Sequence, residues 1–547
     1  MRYSPRELKI AWTLSLSNGF ITFCYVAGTS SLNPLNTNWI YHGINADPIQ
    51  HFFGWLFYKN SDWSLPIGRN VTYGDYLGSS IVYSDSIPIA AIISKVVAEF
   101  TTTDFQYFGI WLLICFILQS FFAIRIAQLY TRDWMLLILV GALLICTPVF
   151  LWRIQAHFAL SAHFLIIAGI YAIFKSYKRD SDESLLWVII LTLACLIHPY
   201  LLGMLLILWF GAIADSLIKK RVRRRTIVRN CILILANIVF LSTVVAGYDF
   251  THSNSMKGTG VAYGVYRWNP ASILVPYGKS LFLSGVIPQS GNFDSFSYFG
   301  LGIIFIFIVN LLLRNWRGIK FGLFLNENQF TVLSFALLIL FAISNNVAIA
   351  DFRFSYDIPK WTSDLFSVFS SSARFIWPVT YSFLFLMIIA VLRTRRRGFG
   401  VIVLSLCLFM QMTDLLPLRE DLRLYLNNNI SKDFRTLESE EIAQALESGK
   451  YSRIVVIPTS REGFGFPEVT QLAYTYGLST NSVYLARVDG EKINLQRKKV
   501  YRELKSGNLE SRSIYVLSQS QFSEIRGFLI PDAVVIQEQE FFFIFLN

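Results

Sequence analysis

Apolar runs of about 20 residues recur from the N-terminus to about residue 414, separated by short polar links. Each is long enough to cross a hydrocarbon core of roughly 30 Å. Eleven crossings are predicted, at about 10–30, 107–127, 134–151, 157–174, 185–199, 200–218, 230–247, 298–314, 330–347, 374–392 and 399–414. The fifth and sixth form a tight hairpin with its tip at His198-Pro199-Tyr200, because proline disfavours helix continuation. Ile87 to Phe100, "IPIAAIISKVVAEF", is apolar but short and holds Lys95 and Glu99. It is predicted to lie flat at the interface as an amphipathic helix. From Pro417 to Asn547 the pattern changes: "RIVVIPT", "SIYVLSQ" and "AVVIQEQEFFFIFLN" are short β-branched runs alternating with helical or turn-rich stretches. The expected architecture is an α-helical polytopic membrane part over residues 1–414, with about 11 transmembrane helices and a large first outer loop, followed by a small α/β domain over 415–547.

Composition strengthens the membrane reading, since 54% of residues are hydrophobic and only 15% are charged, against roughly 25% charged in soluble domains. The six cysteines all lie inside apolar runs, with no CxxC pair to suggest zinc or redox chemistry. A net charge of +12 raises the question of nucleic acid, but the basic residues crowd into short links. Lys175 to Arg179, Lys219 to Arg229, Arg314 to Lys320 and Arg393 to Arg397 read instead as cytoplasmic turns. With Arg2, Arg6 and Lys9 ahead of the first crossing, the N-terminus is expected inside, the first crossing is expected to be an anchor, and the C-terminal domain is expected outside. Three long outer loops result, at 31–106, 248–297 and 348–373.

Those loops hold most of the polar chemistry. In "INADPIQHFFGW" a helix beginning near Asp47 places Gln50, His51 and Trp55 on the same face. Such a face would suit a sugar, offering polar groups to hydroxyls and an indole to the ring; the plainer reading is an interfacial helix whose polar side meets water. The same loop carries Arg69, Tyr73 and Asp85. Ser84 or Asp85 could cap the flat helix, with Pro88 in its first turn, and a substrate contact is the alternative. In "LWRIQAHFALSAHF", Arg153, His157 and Ser161 recur at i+4 and could line one stripe, whereas the spacing of His157 and His163 does not suit a chelating pair. Ionisable groups near spans merit a functional hypothesis, which covers His157 and His198. Arg374 in "SSSARFIWP" opens a crossing behind three serines, where a guanidinium and a helix start suit a phosphate; snorkelling is the alternative. Arg267 in "VYRWNP" could supplement it. Asp180-Ser-Asp182 matches a DxD metal motif but lies in a charge-rich cytoplasmic link, and there is no phosphate loop, nucleophile elbow or HExxH helix. Asn70-Val-Thr and Asn429-Ile-Ser match the glycosylation sequon.

One crossing, a large outer loop with an early aspartate, many further crossings and an outer C-terminal domain resemble the GT-C superfamily of integral-membrane glycosyltransferases. "ADPIQHFFGW", "YSDSIPI", "DFQYFGIWLL", "LIHPYLL", "ARFIWP" and "NSVYLAR" resemble the bacterial DUF6311 family. The resemblance implies a bacterial inner-membrane enzyme that moves a sugar from a polyprenyl-phosphate donor to a glycan, lipid or protein acceptor on the periplasmic side. Membrane lipids are expected as partners, and the placement of the basic residues argues against nucleic acid. Under the resemblance, Asp47 is the general base, Arg374 holds the carrier phosphate, Gln50 and His51 orient acceptor or sugar, and Asp85 is a second acidic contact. Trp55, Arg69, Tyr73, Arg153, His157 and His198 are further candidate substrate contacts. No cofactor is expected, and the lack of an outer DxD points to a site without a divalent metal. The competing reading is a transporter or flippase of lipid-linked saccharide, although no repeat relates the two halves; a scaffold role is a third.

Overall fold

The computed structural model describes residues 5–41, 47–219, 224–247, 262–284, 293–313, 321–394, 396–427, 437, 439–460 and 463–546. The basic links at 220–223 and 314–320, residues 248–261 and 285–292 of the second long loop and the Asn429 sequon lie outside the described residues. Each of the eleven predicted crossings falls on an apolar helix. Seven are long and apolar enough to span a membrane: Pro5–Ala27, Phe108–Ala127, Phe158–Arg179, Pro199–Ile218, Ile227–Ala246, Ser372–Leu392 and Arg397–Asp414. Four are shorter: Trp134–Ile145, Ser184–Ile197, Leu301–Leu312 and Gln329–Ile343. The chain is a multi-pass membrane protein.

Contacts group the chain into two units. The first comprises Met1–Trp39, Tyr107–Val239 and Val261–Asn428. Its helices begin where the sequence supplies starts: Asp133 accepts from Met135 N–H at 2.9 Å, and His198 sits extended between two helices, its Nδ1 accepting from Tyr200 N–H at 3.1 Å ahead of Pro199. The carboxylate of Asp215 accepts from Phe330 and Thr331 N–H at 3.0 and 2.9 Å, capping the helix Gln329–Ile343 from a neighbouring one. Polar residues inside the apolar helices are spent on backbone carbonyls of other helices. Asn18 donates to Ile138 at 3.0 Å, Gln119 to Leu144 at 2.8 Å, Asn310 to Met387 at 3.0 Å and Ser334 to Ile207 at 2.8 Å. These bonds tie helices together where apolar contact alone gives no preference over lipid.

The second unit comprises Ile40–Gln106, Phe240–Gly260 and Asn429–Asn547. It therefore joins the predicted first outer loop to the C-terminal α/β segment, which the sequence pattern had separated. All three predicted β runs are strands in one five-stranded sheet, in the order Ser479–Thr480, Arg453–Ile457, Ser513–Ser518, Phe541–Leu546, Ala533–Glu538. The first three strands are parallel, and the last run folds into an antiparallel hairpin, Ala533 opposite Leu546. Val455, Ile457, Tyr515, Leu517 and Ile544 fill the core against the helix Gly490–Ser506 through Val500 and Leu504.

The helix Pro88–Ala98 in this unit presents Ile93, Val96 and Val97 outward, with Phe100 just beyond, and turns Lys95 inward. The Lys95 ammonium donates to the Ser61 carbonyl at 2.7 Å and lies 4.2 and 4.7 Å from the Tyr58 and Trp63 rings. An outward apolar face on a short helix is what an interfacial position requires. Its cap differs from expectation: Ile87, at φ 55°, occupies the N-cap without a side-chain bond. Ser84 instead bonds Ser86 Oγ at 2.9 Å, because the turn that precedes the helix consumes its hydroxyl.

Candidate functional site

In the first unit, three residues predicted as substrate contacts converge on one that was not. Asp294, in the short 3-10 turn Phe293–Ser295, accepts from Arg153 Nη1 at 2.9 Å and from Arg374 Nη2 at 3.1 Å and Nε at 3.3 Å. Arg153 Nη2 also donates to the Asp294 carbonyl at 3.3 Å. The Ser371 hydroxyl donates to the other carboxylate oxygen at 2.6 Å, and Ser371 N–H in turn donates to Tyr200 Oη at 2.9 Å. Arg374 Nη2 lies 3.4 Å from His157 Nε2. The guanidinium of Arg374 stacks 4.7 Å from the Tyr200 ring centre, and that of Arg153 lies 5.1 Å from the Trp377 ring centre. Arg153 is fully buried, Asp294 and Arg374 are each 7% exposed, and His157 is half-buried.

Two guanidiniums and one carboxylate leave one positive charge in excess. Burial acts to raise the Asp294 carboxyl, but the Arg374 and Arg153 guanidiniums beside it prevail and hold it well below the usual carboxylate range. The carboxylate is thus a fixed anion that orients both cations. Among the described residues, the Gln155 amide, enclosed between Arg153 and His157 in sequence, has no hydrogen-bond partner for either terminal atom, and neither has Trp377 Nε1. Buried polar groups are normally satisfied, so this segment offers polar atoms for water or a ligand.

The expected i+4 stripe is not one helix face. The helix Pro148–Arg153 stops at Arg153, and a separate 3-10 turn, Phe158–Ser161, follows. His157 N–H still donates to the Arg153 carbonyl at 3.1 Å, so one turn joins these two, and their side chains meet Asp294 and Arg374 respectively, whereas Ser161 falls in the next turn. His198 stands next to this centre in the chain: its ring caps the helix that positions Tyr200. Arg267 bonds its own turn, Nη1 donating to the Gly264 carbonyl at 3.4 Å. Asp182 accepts from Ser184 N–H at 2.9 Å, at the opening of a helix.

In the second unit, Asp47 opens the helix Asp47–Asn60 and is half-buried. Gln50, His51 and Trp55 are enclosed. Gln50 donates to the Tyr83 carbonyl at 3.2 Å and Trp55 Nε1 to the Phe105 carbonyl at 2.7 Å, so amide and indole both hold the fold. Burial pushes the His51 imidazole down to about 3. Tyr73 is enclosed, its hydroxyl paired with both Tyr484 backbone groups at 3.4 and 3.3 Å. Asp85 is half-buried at φ 54°, and the Arg69 side chain is exposed on the two-residue strand Arg69–Asn70.

Residues 16–416 match the model of a domain of unknown function, DUF6311, and residues 441–546 match the DUF6311 C-terminal domain. No curated protein matches the chain. Among solved structures it is similar to ArnT from Cupriavidus metallidurans bound to undecaprenyl phosphate, at 9% identity and a TM-score of 0.40, over 99% of this chain and 98% of that one. It is also similar to the oligosaccharyltransferase of Archaeoglobus fulgidus tethered with an acceptor peptide, at 10% identity and a TM-score of 0.36, over 86% of this chain and 64% of that one.

Proposed function

The chain belongs to the DUF6311 family, and we propose that it is a GT-C-type glycosyltransferase of the bacterial inner membrane that takes its sugar from a polyprenyl-phosphate donor. The observation that carries this reading is the enclosed Arg153–Asp294–Arg374 centre with its surplus positive charge, at the start of an apolar helix of a multi-pass protein. A lipid-linked donor keeps its hydrocarbon in the membrane and brings its phosphate to the boundary, where charge-assisted bonds from guanidiniums are strong. In the proposed reaction the acceptor oxygen attacks the anomeric carbon and loses its proton to a base. The bond from that carbon to the phosphate oxygen breaks, and the leaving phosphate takes up the charge. Arg374 and Arg153 would offset that charge, with His157 beside Arg374 orienting the phosphate. No divalent metal is required of such a centre, because the cationic groups are side chains.

Asp47 is proposed as the base. Its support is its position: it is the half-buried carboxylate that opens its helix, whereas Gln50, His51 and Trp55 behind it are enclosed. Periplasmic chemistry and a cytoplasmic N-terminus follow the distribution of basic links.

The test is transfer by purified protein in lipid nanodiscs, supplied with a panel of polyprenyl-phosphate sugars and candidate glycan, lipid and peptide acceptors. Arg374→Gln should lower transfer at least a hundredfold, as the loss of a charge-stabilising donor does elsewhere, and Asp47→Asn should lower the maximal rate with little change in donor KM. Movement of lipid-linked saccharide across vesicles with no new glycosidic bond would replace this reading with a flippase.

A further inference from the structure

A second candidate lipid site lies at the other end of the helix that carries Arg374. Along Trp377–Leu392 and its C-cap, Val379, Ser382, Leu386, Ile389 and Arg393 recur at alternating steps of three and four, which makes them one stripe running roughly 21 Å along the axis. All five line a cleft of about 600 Å³, within the usual range of ligand pockets, whose opposite walls include Phe174 and Phe335. The cleft is mostly apolar, interrupted by the Ser382 hydroxyl, and its lining includes two cations: Arg393, and Lys178 from the last turn of Phe164–Arg179.

Those cations are not neutralised by their neighbours. Among the described residues, the Arg393 guanidinium has no ion-pair partner, and the Lys178 ammonium rests 4.6 Å from the centre of the Tyr130 ring. Among the described residues that line the cleft, Glu327 is the carboxylate, and it is engaged by Lys219 at 3.4 Å. A mostly apolar groove that runs along a membrane helix and terminates in a pair of uncompensated cations matches a ligand with a long hydrocarbon chain and an anionic head.

We propose that this cleft holds an anionic membrane lipid, with a hydrocarbon chain along the Val379–Ile389 stripe and its phosphate on Lys178 and Arg393. Its cationic end lies roughly 28 Å along the helix from Arg374 and its nearer end, at Val379, roughly 8 Å, so the phosphate position proposed here is separate from the donor centre proposed above. It would anchor the basic end of the bundle in one leaflet.

The test uses the full-length protein taken from nanodiscs of phosphatidylcholine and phosphatidylglycerol, with retained lipids counted by native mass spectrometry. Lys178→Gln/Arg393→Gln should lower the retained ratio of phosphatidylglycerol to phosphatidylcholine by roughly ten- to thirtyfold, the effect expected of two cations facing an anionic head. Leu386→Trp, which fills the groove and keeps both cations, should lower retention of both lipids. Arg374→Gln should leave the ratio unchanged, and inorganic phosphate should not compete. An unchanged ratio in the doubly neutralised protein overturns the proposal, as does a ratio that falls only with Arg374→Gln.

Discussion

Replacing Asp294 by Asn keeps the shape of the side chain and removes the charge that two buried guanidiniums share. The wild-type carboxylate accepts from Arg153 at 2.9 Å, from Arg374 at 3.1 and 3.3 Å and from Ser371 at 2.6 Å. None of the three charged groups is more than 7% exposed, so solvent screens these bonds little. Charge-assisted bonds contribute about 1.5–3 kcal/mol each but do not add. A better guide is the cost of breaking a buried ion pair from one side, about 3–5 kcal/mol. The Asn carbonyl recovers about 1 kcal/mol as a neutral acceptor, leaving an expected loss of about 2–4 kcal/mol. Denaturant unfolding in detergent micelles would measure it. Arg153→Gln should cost less in the Asp294→Asn background than in wild type, with a coupling of at least about 1 kcal/mol. Because the folded carboxyl titrates below its unfolded value, its contribution is complete above about pH 4 and is lost as pH falls below that. A loss under about 1 kcal/mol, together with additive double mutants, would falsify the buried charged unit.

Three further substitutions test the rest of the structure. His51 is held neutral by burial, with its folded value near 3 against 6.5 unfolded, so its contribution is complete above pH 6.5 and is lost as pH falls toward 3; His51→Asn should flatten stability over that window in denaturation curves taken at each pH. A Cβ at Gly109 would run into the Ser31 carbonyl oxygen, so Gly109→Ala should destabilise by about 1–3 kcal/mol in thermal unfolding, and an unchanged midpoint would mean the two segments do not pack this closely. Trp55→Phe leaves the Phe105 carbonyl without its indole donor and should cost about 1–3 kcal/mol; a sugar-stacking role would instead lower transfer with stability intact.

The helices were legible because bilayer thickness sets their length and apolar composition marks it. Where the pattern misled, a local rule had a tertiary competitor. The third predicted crossing ends as two helices, Trp134–Ile145 and Pro148–Arg153, because Pro148 starts a new one. The face shared by Gln50, His51 and Trp55 is real as helical periodicity, yet it points into the unit, where backbone carbonyls of Tyr83 and Phe105 need donors. Periodicity says which residues share a face and is silent on what covers it. Arg153, His157 and Arg374 stood out as ionisable groups at the ends of apolar runs. Asp294 did not, since its partners are 141 and 80 residues away in the chain and "NFDSFSY" reads as an ordinary polar loop. The available signal was an acid flanked by aromatics just ahead of a crossing.

The missed carboxylate changes what the centre can select on the function proposed above. A polyprenyl-phosphate sugar is a phosphodiester with one negative charge, which would bring two guanidiniums and one carboxylate to neutrality. The spent carrier is a monoester whose second proton leaves near pH 6, so at higher pH it would leave the enclosed centre net negative, a state that burial penalises. Donor should therefore outcompete product, and inhibition by polyprenyl phosphate should weaken as pH rises from about 5.5 to 8 while donor KM stays flat. Asp294→Asn removes the fixed anion and leaves two surplus charges, which a dianion would neutralise. In that variant product inhibition should instead hold or strengthen over the same range. If the two proteins show the same pH trend, the carboxylate does not set the charge preference of the site, and Asp294 serves only to position its arginines.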